Sequence, residues 1–402
     1  MADHSRMDHV DALAWLGPEL EDLRQHALFR TLSEFDSAAE PEIVHQGRRY
    51  LLLASNNYLG LAADPRVVHA ATEALRRYGA STAASRLVSG STPLHRELES
   101  ELATLKGAEA ALLFSSGYMA NLGIIGSLVG PGDVIFCDRL NHASIVDAAF
   151  LSRARLAVYH HADPEHLADL LQRYSGRRRL IVTDSVFSMD GDLAPLAALC
   201  DLADRWGCML MVDEAHATGV LGARGAGAVE HLGLRGRVPI IMGTLSKALG
   251  SAGGFVAGSR RLIDYLRNRA RTFIFDTAPA PSAVGAALAA LRIARVDEER
   301  RQWLRRLTTV MRDELEGLGY DVLPTDSAIL AVMIGGNEAA LRLSATLREY
   351  GVWVPAIRPP AVPRGTARLR VAMMATHTQD HLERALDAFA AARRALRARG
   401  AY

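Results

Sequence analysis

The chain has 402 residues, 49% hydrophobic and 23% charged, with 46 basic and 45 acidic side chains and a formal net charge of +1. That length exceeds one average domain and can bury a sizeable core, while the charge balance argues against nucleic acid or a membrane surface as a partner. Three cysteines without CxxC spacing, Cys137, Cys200 and Cys208, suit a reducing compartment and neither a disulfide frame nor a zinc site.

The start, Met1-Ala2-Asp3-His4-Ser5, lacks the charged head and apolar run of a secretory signal. No apolar run reaches the length of a membrane span, so a cytoplasmic protein is expected. Between Val10 and Ser37, Leu13, Leu16, Leu20, Leu23, Leu28 and Leu32 recur at helical spacing and predict an amphipathic N-terminal arm. Arg30 lies near its end and, taken alone, reads as a solvated helix charge. Tyr50–Ala54 reads as a short strand running into the turn residues Ser55-Asn56-Asn57-Tyr58-Leu59-Gly60.

From Asp64 the chain alternates between helical and strand patterns. Asp64-Pro65 opens a helix through Tyr78, with the acid at the N-cap and proline at the first turn. Further helices are predicted over 97–106, from Met119, over 164–174 and over 193–206. Strands are predicted at 110–114, 133–138, 156–160, 179–184 and 209–213, then at the apolar run from Ile240 and again before Gly258. Such alternation means a mostly parallel sheet with helices on both faces. From Asp297 the texture changes to a charged helix, short strands and a last helix over 378–397, a smaller α+β domain. The expected division is an arm and strand over 1–60, a large α/β domain over 61–296 and the small domain over 297–402.

In a parallel sheet, ligands sit beyond the carboxyl ends of the strands. Five polar clusters follow strands here: Ser115–Tyr118, His142, Ser188–Asp192, Asp213–His216 and Thr244–Lys247. Ser116-Gly117-Tyr118-Met119, between a strand and a helix start, offers free backbone N–H groups to an anion. It is neither a Walker loop nor a Rossmann fingerprint, and alone it could be an ordinary turn. Asp213 stands at the tip of an apolar strand, where a carboxylate needs a cation or several donors. His216 can reach the same ligand; no second histidine follows at helical spacing, so no metal is expected. Lys247 stands in a small-residue turn between two apolar strands, where burial would depress its pKa and make it a nucleophile and base. A phosphate cradle, a buried aspartate, a stacking-capable His142 and a lysine on one sheet edge suit pyridoxal 5'-phosphate: the lysine forms the Schiff base and the aspartate keeps the pyridine nitrogen protonated.

The motifs Ser-Asn-Asn-Tyr-Leu-Gly at 55–60, Ser-Gly-Tyr at 116–118, Asn-His-Ala-Ser at 141–144, Phe-Ser-Met-Asp-Gly-Asp at 187–192, Asp-Glu-Ala-His at 213–216 and Gly-Thr-Leu-Ser-Lys at 243–247 resemble those of the α-oxoamine synthases. These are fold-type-I pyridoxal-phosphate transferases that join an amino acid to an acyl thioester with loss of CO₂. The likeness runs from about Arg30 to the C-terminus. The tract from Ile357 to Arg370 narrows it to members that join L-alanine to a pimeloyl thioester, carried by CoA or acyl carrier protein, in biotin synthesis. The resemblance implies a homodimer. It implies that Lys247 holds the cofactor and removes the α-proton, that His142 stacks on the ring and that Asp213 pairs with the ring nitrogen. His216 and Ser188 would contact the ring oxygen. Gly117, Tyr118 and Thr244 would hold the phosphate, with Thr277 from a second subunit. Asn56 and Arg370 would grip the substrate carboxylate, and Arg30 would lie near the acyl group. Two departures stand out. Ala361 replaces a usual threonine near the acyl site, and Ala83-Ala84-Ser85-Arg86 replaces a more glycine-rich run. The rival readings are a sister condensation using glycine or serine with another acyl-CoA, a non-catalytic subunit on the same fold, and a pyridoxal-phosphate transcription factor. The last lacks any attached basic helix-turn-helix segment.

Overall fold

The computed structural model describes residues 11–398. The polar start at Met1–Ser5 and Val10 at the head of the expected arm lie outside the described residues. Among the described residues, fourteen strands fall in three sheets. The hairpin β1 (Glu42–His45) and β2 (Arg48–Leu52) opens the strand series. Then come β3 (Ala110–Phe114), β4 (Val134–Asp138), β5 (Arg155–Tyr159), β6 (Arg179–Asp184), β7 (Met209–Asp213), β8 (Ile240–Thr244) and β9 (Gly254–Gly258). The C-terminal part adds β10 (Asp321–Val322), β11 (Ile329–Gly335), β12 (Val352–Trp353), β13 (Ala356–Ile357) and β14 (Ala367–Ala372).

The central sheet has the order β3-β9-β8-β7-β6-β4-β5. Strand β9 runs antiparallel to both neighbours, and the other pairings leave the remaining strands parallel. Strands β4, β7 and β8 carry almost no polar alternation because both faces are covered. Successive residues point to opposite faces, and two apolar cores divide them. Phe136, Ile181, Val212 and Ile241 enter one core, while Ile135, Val182, Met211 and Met242 enter the other. The first core continues into the C-terminal sheet, ordered β10-β11-β14-β13. Helices Glu298–Gly317 and Asn337–Glu349 pack against that sheet, and helix Gln379–Ala398 packs against both of them. The hairpin belongs with this part as well, since β2 pairs in parallel with β12.

Several elements differ from the sequence expectation. The N-terminal arm is helical only over Leu16–Gln25 and buries no side chain; Leu13 and Leu32 are 61% and 98% exposed. Its leucines have the helical spacing, but the face they make finds no core in one copy of the chain. Helices Arg260–Arg269 and Pro281–Val296 have no counterpart in the expectation. The second is alanine-rich and buried nearly all round, so it shows no amphipathic stripe, and it packs on helix Pro65–Tyr78.

Candidate active site

The C-terminal ends of the parallel strands share one edge, and the loops beyond them hold the polar clusters. The lysine loop joins β8 to β9 and is tied across by Leu245 N–H to Gly253 O (2.9 Å) and Ser251 N–H to Leu245 O (2.9 Å). Gly250 has φ +56°, and a Cβ there would lie 2.5 Å from the backbone nitrogen of Ala62. This turn therefore requires glycine. Lys247 is half-buried, and its amine has no hydrogen-bond or ion-pair partner among the described residues. Burial holds its ammonium below the ordinary lysine range and Arg370 pushes the same way, against the opposing carboxylates of Asp213 and Asp184.

Asp213 is buried at the tip of β7. Its Oδ2 accepts from Asn121 Nδ2 (2.8 Å) and its Oδ1 from the backbone N–H of Ala215 (2.9 Å). Two donors do not saturate a carboxylate, so room remains for a cationic N–H. Beside it in the sheet register stands Asp184, also buried. Burial, together with the neighbouring Asp213, lifts the Asp184 carboxyl well above the usual carboxylate range. Asp184 Oδ2 accepts the backbone N–H of His142 (2.7 Å), which fixes the start of helix Ala143–Ser152. His142 Nδ1 lies 2.7 Å from Ser144 Oγ, and Ser144 Oγ accepts from Asn121. Asn121 thus orients both the aspartate and the histidine loop. Burial of its inner edge lowers the His142 pKa, Asp213 opposing, while its outer side faces the cavity.

Helix Gly117–Leu128 begins at this edge. Ser116 caps it by accepting from Met119 N–H (3.1 Å). The N–H groups of Gly117 and Tyr118 stay unused within the helix. A Cβ on Gly117 would lie 3.1 Å from Met242 Cε and 3.5 Å from Thr244 Oγ1, and one on Gly254 would lie 2.5 Å from Ser116 O. The glycines therefore let β8, β9 and the helix start close on one another. The hydroxyl of Thr244 is buried, donates to Gly253 O (2.9 Å) and sits 2.8 Å from Ser246 Oγ. The Tyr118 ring leaves the anion site, and its hydroxyl donates to Asp147.

A second network centres on Tyr58. Its hydroxyl lies 2.7 Å from His216 Nδ1, donates to Asn56 Oδ1 (3.1 Å) and accepts from Arg370 Nη2 (3.1 Å). Arg370 Nε donates to Ser188 O (2.5 Å), and its Nη1 has no hydrogen-bond partner among the described residues. Burial first, then the positive groups of Lys247 and Arg370 and a smaller push from His142, hold His216 well below its ordinary value, which favours the neutral imidazole. Asn56, His216 and Arg370 thus come together through one phenol, and Ser188 joins through Arg370. Ser188, His142 and Ala361 line one cavity of about 510 Å³.

Arg30 and Thr277 do not join this cluster. Arg30 spends its fork on Leu28 O (3.2 Å) and Pro359 O (2.8 Å), bridging the arm to the proline tract. Thr277 is exposed. Tyr58, Asn121 and Asp184 are site residues that sequence reasoning missed. Tyr58 lies inside the motif at 55–60. Asn121 is a polar interruption in an apolar helix, and Asp184 ends an apolar strand just as Asp213 does.

The residues present fit pyridoxal phosphate: a half-buried amine without a partner, an unsaturated buried carboxylate, and a glycine cradle at a helix N-terminus. Among the described residues no group of three His, Cys, Asp or Glu could hold a metal ion, and no helix is long and apolar enough to cross a membrane. The family model for aminotransferase class I and II matches residues 48–389. An 8-amino-7-oxononanoate synthase of Anaeromyxobacter dehalogenans is 53% identical over 380 residues, covering 94% of this chain and 96% of that protein. One from Geobacter sulfurreducens is 49% identical over 375 residues, covering 92% and 96%. Among solved structures, the serine palmitoyltransferase of Sphingomonas wittichii superposes with a TM-score of 0.92 at 34% identity, covering 96% of this chain and 99% of that one. The 8-amino-7-oxononanoate synthase of Francisella tularensis gives 0.74 at 29% identity, covering 86% and 98%.

Proposed function

The chain belongs to the aminotransferase class I and II family, in its α-oxoamine synthase branch, and from that premise we propose that it condenses L-alanine with a pimeloyl thioester. One proton is consumed, and 8-amino-7-oxononanoate, CO₂ and the free thiol of CoA or acyl carrier protein leave. The cofactor is pyridoxal phosphate, which supplies an electron sink for a carbanion at the amino acid's α-carbon. The observation that carries this reading is the partnerless Lys247 amine within the field of Asp213 on one sheet edge.

The chain's own residues divide the work. The free N–H groups of Gly117 and Tyr118 receive the phosphate, beside Thr244. Asp213, held by Asn121 and the Ala215 N–H, keeps the ring nitrogen's proton in place. Lys247 Nζ takes the α-carbon proton, and its depressed pKa raises the neutral fraction available to do so. His142 covers the site from the cavity side, held by Ser144 and by Asp184 through its backbone. Neutral His216 and the free Ser188 hydroxyl address the ring oxygen. Arg370 and Asn56, joined by Tyr58, grip the substrate carboxylate. Holding both substrates in one cavity is worth up to about 7–11 kcal/mol of the barrier.

A homodimer is part of the proposal. Thr277 has no role in its own subunit's cluster and sits beside exposed Phe275 (71%), on a segment that the buried Ala278 ties to Ala84 O through its N–H. That segment would be covered by the second subunit, which would then receive Thr277.

The test is a panel of alanine, glycine and serine against pimeloyl, acetyl and palmitoyl thioesters, with thiol release and the amino ketone measured. Alanine with the pimeloyl thioester should stand out. Turnover confined to glycine with acetyl, or to serine with palmitoyl, would overturn the substrate reading. Cofactor binding without thiol release would favour a non-catalytic subunit.

A further inference from the structure

The cavity in front of His142 and Ser188 contains a cation that the chemistry above leaves unused. Its wall is apolar over Val146, Phe187, Met189, Pro360, Ala361 and Val362, and Arg139 stands at its rim. Two carboxylates also line it, and both are engaged: Asp147 accepts from the Tyr118 hydroxyl and Asp190 pairs with Arg368. The Arg139 guanidinium has no hydrogen-bond or ion-pair partner among the described residues. Its backbone, in contrast, is pinned. Arg139 N–H donates to Tyr159 O at the end of β5 (3.2 Å), and the next N–H, of Leu140, donates to Asp138 Oδ1 (2.8 Å). An anchored arginine with an open fork, on the rim of a pocket with an apolar wall and carboxylates already engaged, is arranged to receive an anion.

We propose that Arg139 sets acyl specificity by binding the free terminal carboxylate of a dicarboxylic acyl chain. The inference rests on the condensation reading and names the class of acyl group this cavity selects. The dimensions agree. Arg139 and His142 are three residues apart, so their Cα atoms are at most about 10 Å apart. The six carbon–carbon bonds between the two carboxyl carbons of a seven-carbon diacid span roughly 7.5 Å when extended, since each bond of ~1.5 Å advances only about 1.25 Å along the zigzag. A carbonyl held beside His142 thus leaves the far carboxylate within reach of the guanidinium, with the methylenes along the apolar wall. Arg30 is otherwise committed in this chain, since its fork is bonded to Leu28 O and Pro359 O.

The test compares pimeloyl-CoA, its terminal methyl ester and heptanoyl-CoA with the wild-type holoenzyme, Arg139→Gln and Arg139→Lys. Calorimetric binding is measured for each pair alongside thiol release. The wild type should favour pimeloyl-CoA by at least about tenfold, as expected for a charge-assisted bidentate contact. Arg139→Gln should remove that preference mainly through KM, leave the other two thioesters within roughly threefold, and keep the cofactor spectrum; Arg139→Lys should recover part of it. An equal loss for all three thioesters would overturn the proposal, because the guanidinium would then be serving the phosphates of the carrier. No change for any of them would overturn it too. A wild type that binds pimeloyl-CoA selectively but releases no thiol would sink the condensation reading while leaving Arg139 to be judged on the binding titration. If the wild type binds no acyl thioester selectively, both fall.

Discussion

Replacing Lys106 with methionine should destabilise the fold from behind the active site. Lys106 is the last residue of helix Pro93–Lys106, and its side chain is 1% exposed. Its amine donates to Glu214 Oε2, to Thr218 Oγ1 (2.8 Å) and to Ala226 O (2.6 Å). Three acceptors use all three N–H groups of an ammonium, so the pair is ionised, although burial works to lower the Lys106 pKa against the pull of Glu214. Glu214 is wholly buried, directly follows Asp213, and also accepts Val229 N–H (2.7 Å). Removing the lysine leaves a buried carboxylate without its cation, at a cost of about 3–5 kcal/mol. With an unfolding entropy of ~2.1 cal/mol/K per residue, a chain of this length has roughly 0.8 kcal/mol/K, so Tm should fall by roughly 4–6 °C. Lys106→Met with Glu214→Gln keeps the acceptor for Val229 and should recover most of that loss. The measurement is thermal unfolding of the three holoenzymes. A single variant within about 1 °C of wild type, or a double variant as unstable as the single, would refute the account.

Asp213→Asn should retain the cofactor yet lower kcat by roughly 10²–10³-fold, since the lost charge acts where charge develops; near-normal kcat would count against its role. Tyr58→Phe removes the phenol shared by Asn56, His216 and Arg370, and should raise KM for the amino acid by about tenfold, the worth of one hydrogen bond to a charged group; steady-state kinetics with a saturating thioester would show it. His161 is bound by Asp138 (3.0 Å) and Asp192 (2.9 Å). Burial opposes its charge, but the two carboxylates win and raise its pKa from 6.5 to about 9. A folded value above the unfolded one means this stabilisation is complete below about pH 6.5 and is lost as pH rises to about 9. The Tm deficit of His161→Gln should therefore be largest near pH 6 and shrink toward pH 10; a deficit that does not vary with pH would exclude an ionised clamp.

Much of the site was legible because its chemistry is local. A turn after an apolar strand announces Lys247, Asp213 and His142, and the alternation of strands and helices places their loops on one edge. Whatever depends on contacts between distant segments was not legible. Tyr58 becomes the hub only because the turn at 55–60 meets β14, more than three hundred residues later. Asp184 looked like the end of another strand until the register set it beside Asp213. Pro281–Val296 hides its helix because burial on all sides removes the periodicity by which a helix is read.

By itself, then, the sequence determined the layered α/β class, through its alternation of strands and helices, and the pyridoxal-phosphate family, through motifs that each sit in one short stretch. Tertiary structure alone decided that β9 enters the central sheet against the grain, that Arg30 is tied up in the proline tract, and that Arg139 faces the cavity with its fork free. Orientation and pairing across long separations depend on which surfaces the core brings together, and no local pattern encodes that.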